Sequence, residues 1–217
     1  MSVDLSFGQL VEMQTSKSIP VLLEELREAY ENVGRRVTAS LCAPIPEAEL
    51  RERCSWFPHE LPKEIIALYG WRGGQDSSQA NHDSAFFFRD VVFITPERAK
   101  VEYESMISTY GVDSTLKKDG VEIGTCFPFA SYIGSWYVFP CGAQSIRPEH
   151  PGAVVNVFQG FSLLYYSVSS MLETCIGWTQ DPGFTEQNWR WQHVEQDIWE
   201  KHNPGIFANE SMFGGEG

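Results

Sequence analysis

The chain has 217 residues, 42 % hydrophobic and 21 % charged, enough to build a buried core without disulfide or metal staples, and its composition excludes a disordered chain. Its net charge of −13, densest in residues 181–217 with seven acids against two bases, opposes the phosphate contacts that need clustered Lys and Arg, so no nucleic-acid partner is expected and a basic protein is. Five cysteines without C-x-x-C spacing, an acidic N-terminal stretch and the lack of any run of about 18 apolar residues point to a reduced, cytoplasmic protein with no membrane partner.

In chain order, Leu22, Leu23, Leu26, Ala29, Tyr30 and Val33 recur at three- and four-residue spacing between Pro20 and Gly34, which predicts an amphipathic helix over 20–33. Pro46 opens a short charged helix. Pro62 opens another, with Ile65, Ile66, Leu68 and Tyr69 on its buried face, and "GWRGG" breaks it. The polar run 72–83 reads as a loop, and "SAFFFRDVVFIT" as a strand or strand pair. A helix follows from Pro96 to the stop at Gly111, with Ala99, Tyr103, Met106, Ile107 and Tyr110 at helical spacing. "LKKDGVEIG" holds a Lys-Asp-Gly turn, and residues 125–139 read as two strands around a turn near Ser131 to Ser135.

After a proline-rich loop, "AVVNVF" is a further strand, and "LLYY" an extended segment leading to a helix capped by Ser167, with Met171, Leu172, Cys175 and Ile176 inward. The last helix is predicted over 186–202, where Trp191, Val194, Ile198 and Trp199 share a face directed at the core and Trp189 faces elsewhere. Helices, an antiparallel sheet interrupted by one helix, then helices make an α+β protein. One α+β domain is expected over 1–180, with a C-terminal helical extension over 181–217 packed on it.

The motifs of hydrolase elbows, phosphate loops, dinucleotide folds and zinc proteases are missing, and "GWRGG" trails a helix where a phosphate cradle would precede one. The five histidines are too scattered for a metal site, and no metal or cofactor is expected. The carboxylate pairs Glu24/Glu25, Glu47/Glu49 and Glu102/Glu104 are expected on solvated helix faces. A cysteine nucleophile stays open as an alternative, since Cys and His meet in space rather than in sequence; inert buried thiols are the favoured reading.

Three stretches carry a resemblance: "LPKEIIALYGWRGG", "CFPFASYIGSWYVF" and "VVNVFQGF" followed by "SVSSMLETCI". Over about 57–178 they resemble the SUKH superfamily of α+β domains, with its leucine-proline helix start and small corner, its proline-containing strand and turn, and its strand before a Ser-capped helix. The resemblance implies a binding domain without catalytic residues, chiefly an immunity protein that neutralises a bacterial toxin by stoichiometric occlusion. The partner would then be a cognate toxin domain of basic character. The loop 72–84, with Asp76 and Asp83, and the sheet aromatic Trp136 are expected to contribute to the partner surface; a sheet-core role for Trp136 is the competing reading. The alternatives are a regulatory protein-interaction scaffold and a small cysteine-dependent hydrolase.

Overall fold

The computed structural model describes residues 17–76, 86–88, 91–111, 122–141, 152–158, 160–181 and 194–206. Helix α1 (Ile19–Asn32) begins with Pro20 in its first turn and buries Leu22, Leu23, Leu26, Ala29 and Tyr30 of the predicted stripe, while Val33, also predicted on it, caps the helix end and is half-buried. Helix α2 (Glu47–Arg53) follows Pro46, and α3 (Lys63–Trp71) follows Pro62. The latter runs two residues past Tyr69, and Trp71 is buried with Ile65, Leu68 and Tyr69.

The sheet is a five-stranded antiparallel meander of β1 (Val92–Phe93), β2 (Cys126–Tyr132), β3 (Ser135–Pro140), β4 (Val154–Val157) and β5 (Phe161–Tyr165), neighbours in space as in sequence. Helix α4 (Pro96–Tyr110), capped by Thr95, is inserted between β1 and β2; α5 (Val168–Thr179) and α6 (Val194–His202) end the order. The apolar run before Pro96 yields only the two residues of β1 and a Phe88–Val91 bridge within the described residues. The Lys-Asp-Gly turn, the proline-rich loop, Trp189, Trp191 and the first half of the predicted last helix lie outside them.

Both faces of the central strands are covered, which explains their nearly unbroken apolar runs. On β3, Tyr137 and Phe139 join the main core with α1, α3 and α5, while Trp136 and Val138 point to a second cluster with Met106, Ile123, Val155 and Val157. Alternation along β3 thus splits neighbours between two cores. Pro128 sits in an interior strand without breaking it because the register shifts between Pro128 and Ala130, and bulges tolerate a missing N–H. The carbonyl of Phe129, at that shift, accepts from Ile94 N at 3.1 Å.

Neither sheet edge is left bare. On the β1 side, Gln75 N donates to Phe93 O at 2.7 Å and Gln75 Oε1 accepts from Phe93 N at 2.8 Å. Beyond it, Cys42 N donates to Gly74 O and Asp76 N to Ser40 O, each at 2.8 Å, so 40–42 and 74–76 extend the hydrogen-bonded array. On the β5 side, Trp199 of α6 donates from Nε1 to Leu164 O at 3.0 Å and stacks on Tyr165 with centroids 4.6 Å apart. Buried Asn203 accepts from Tyr166 N at 3.1 Å and donates to Thr174 Oγ1 at 3.0 Å, joining β5, α5 and the end of α6. Such contacts occupy part of the strand-pairing template an open edge offers.

Helix α5 carries a reciprocal cap: Ser167 Oγ accepts from Ser170 N and Ser170 Oγ accepts from Ser167 N, each at 3.0 Å. Among the described residues no helix is long and apolar enough to cross a membrane.

Candidate functional site

Two adjoining hollows of about 610 and 500 Å³ share Arg98, Glu102 and Ile133 and form one furrow between α4 and the β2–β3 hairpin. Asp76 lines one end, beside Gln75 and Thr95; Trp136, Tyr110 and Phe158 line the other. The structure therefore brings Asp76 and Trp136, 60 positions apart in sequence, to a single surface feature. Asp83 lies outside the described residues. Asp76 is half-buried, held by its backbone bond to Ser40. Trp136 is only 5 % exposed, so it forms floor and not a projecting anchor.

Glu102 organises this floor. Its Oε2 accepts from Trp136 Nε1 at 2.6 Å, and its Oε1 accepts from Arg98 Nε at 2.8 Å and Ser131 Oγ at 3.2 Å. The residue is 8 % exposed, whereas Glu104 is on the open face of α4, so the expectation of two solvated carboxylates holds for Glu104 alone. The physical reason is register: position 102 is three residues after buried Ala99 and four before buried Met106, on the inward stripe. A carboxylate can occupy that stripe because the indole, hydroxyl and guanidinium donors replace its water.

Glu102→Ala is expected to lower stability by about 2–4 kcal/mol, since it leaves the buried indole N–H of Trp136 without its acceptor. Glu102→Gln keeps an acceptor and is expected to lose roughly half as much; urea unfolding of the two variants measures the difference.

The furrow's upper side is apolar and open. Ile133, at the hairpin tip, is 79 % exposed and Phe158, after β4, is 51 % exposed. Most large apolar side chains of the described residues are buried, so two exposed ones lining one furrow stand out. Ser135 Oγ donates to Asn156 Oδ1 at 2.9 Å and ties the hairpin base to β4, giving Ile133 a firm mount. Residue spacing does not single out Ile133, Phe158 or Arg98 as surface-forming, and it places Glu102 on a solvated face. The signal for Ile133 lies in the chain itself, an apolar residue at the centre of a predicted turn.

Four of the five thiols, those of Cys42, Cys54, Cys126 and Cys141, are poor nucleophiles where they stand. Burial pushes Cys54 and Cys141 each up to about 12, and moves Cys42 and Cys126 upward as well. At neutral pH they are protonated, and the thiolate is the reactive form. Among the described residues no three His, Cys, Asp or Glu side chains are placed to hold a metal ion. A separate groove along Glu47, Arg51, His59 and Lys63 presents charges already paired in part, with Arg51 Nη2 2.8 Å from Glu47 Oε1.

No protein-family model matches the chain, and no curated protein matches it.

Proposed function

We propose that this chain is a binding protein of the SUKH type whose role is immunity, neutralising a cognate bacterial toxin domain by forming a stoichiometric complex that occludes the toxin's active site. The observation that carries the reading is the furrow between α4 and the β2–β3 hairpin, with exposed Ile133 and Phe158 above a polar floor set by Glu102. Exposed apolar side chains next to polar groups are a feature of protein-binding patches. The net charge of −13 supports a basic partner, steered to the chain by long-range attraction before the apolar contacts form. The elevated thiols weigh against the cysteine-hydrolase alternative.

Co-expression of this chain with the C-terminal domain of the protein encoded beside its gene tests the reading. Restored growth and a one-to-one complex on a sizing column are expected. The association rate is expected to fall by about tenfold or more between low and physiological salt. Toxicity without rescue would overturn cognate immunity for that pair. Several partners and no toxic neighbour would favour the regulatory scaffold instead.

A further inference from the structure

Two residues, Ile133 and Gly134, connect β2 to β3, between the paired Tyr132 and Ser135. Both have positive φ, 43° and 74°, the combination of a type I′ turn. At the first of these positions Asn, Asp or Gly is favoured because L side chains with a branched Cβ crowd the backbone there. Ile133 is the one non-glycine residue with positive φ among the described residues, and it is β-branched. It is also the most exposed of the large apolar side chains described. Folding places this residue in a strained conformation and recovers almost no burial.

We propose that Ile133 is the anchor that this chain inserts into an apolar pocket on a basic protein partner, so that the hairpin tip is kept at the expense of the unbound protein's stability. The inference rests on the binding function proposed above and names the residue and partner chemistry that would serve it. Strain at an exposed position is retained where the surroundings fix it and where function uses it. The fixed hairpin mounts the sec-butyl group at the open side of the furrow, Phe158 lines the same hollow, and the exposed Arg98, paired with Glu102 at 2.6 Å, supplies a polar border. A tip that projects suits a partner's concavity, whereas a small molecule would need to be enclosed.

Charge decides between partners. A second copy would bring two chains of net −13 together, and an anionic membrane would repel the same charge. A folded domain with Lys or Arg around an apolar pocket complements both the net charge and the Asp76 end of the furrow.

The test compares Ile133→Asn and Phe158→Ser with the full wild-type chain, using melting temperature and titration calorimetry against the toxin domain encoded beside the gene. Ile133→Asn relieves the turn and is expected to raise the melting temperature by about 2–4 °C. The same change is expected to weaken binding by about 30-fold or more, as loss of a central anchor does. Phe158→Ser is expected to weaken binding by about tenfold. Gain of stability with loss of affinity supports the anchor. An Ile133→Asn chain no more stable than wild type would overturn it, as would undiminished affinity while the wild type binds, a result that leaves the immunity reading standing. Failure of the wild type to bind the domain would remove the immunity reading and this partner with it. Self-association of the wild type that Ile133→Asn abolishes would overturn the basic partner in favour of a second copy.

Discussion

Trp199→Ala is expected to cost about 3–5 kcal/mol, the usual range for emptying a fully buried aromatic site. Trp199 has no exposed surface, stacks at 10° on Tyr165, meets Trp178 edge-on at 6.4 Å and donates to Leu164 O. Removing it opens a void between α6 and β5 and uncovers the last strand of the sheet. For a chain of this length the loss corresponds to a fall in melting temperature of roughly 6–20 °C. Calorimetry and urea unfolding read this directly. Trp199→Phe keeps an aromatic ring against Tyr165 but loses the indole bond and part of the ring volume, for an expected cost of about 1–3 kcal/mol, below that of the alanine variant. A small effect of the alanine variant would mean that α6 is an appendage whose removal the sheet tolerates. The expected large effect makes the segment 194–206 part of the stabilising core, with Asn203 and Ile206 extending the same contact.

Gly74→Ala is expected to cost about 3 kcal/mol or more, which moves the melting temperature down by roughly 6–12 °C. Two independent demands meet at this position. Its φ of +98° lies where L side chains are strained, and a Cβ there would stand 2.7 Å from the backbone carbon of Ile94 and 2.7 Å from Thr95 N. Those atoms belong to the turn between β1 and α4 and cannot swing aside as a side-chain tip could. Gly73 has a related role, since a Cβ on it would come within 2.7 Å of Ala43 O. Gly70, in α3, offers the contrast: nothing lies within 4 Å of the site, and Gly70→Ala is expected to be neutral or slightly stabilising. Thermal unfolding of the two alanine variants side by side checks the argument. The corner at 73–74 is what lets the chain leave α3 and run against β1, and this placement sets Asp76 at the end of the furrow. Scaffold and candidate surface are therefore coupled through one glycine.

Much of the architecture was legible in residue order. Pro20, Pro62 and Pro96 open α1, α3 and α4 or stand at their caps, Ser167 caps α5, and the apolar spacing of α1 predicts five of the residues it buries. The two strands of 125–139 and their turn were legible too, because a pair of apolar runs around "IGS" has few alternatives. The candidate site was legible only in part. Asp76 and Trp136 could be picked out as a polar-loop acid and a sheet aromatic, but nothing local indicated that both would line one furrow. Glu102 reads as an ordinary charged helix residue until the donors of Trp136 and Ser131, about 30 positions away, are placed against it.

Residue order specifies an α+β chain of strong negative charge, with its helix starts and stops and its antiparallel hairpin written into local residue choices. Those features depend on interactions within a few residues, which spacing and capping report faithfully. Packing between distant segments sets the burial of both faces of β3, the contacts of 74–76 and 194–206 with the two sheet edges, and the exposure of Ile133 and Phe158 beside a buried carboxylate. Periodicity reveals that a side chain is apolar and which way it points. What covers it depends on segments far along the chain, so burial, exposure and the furrow emerge only when the elements pack.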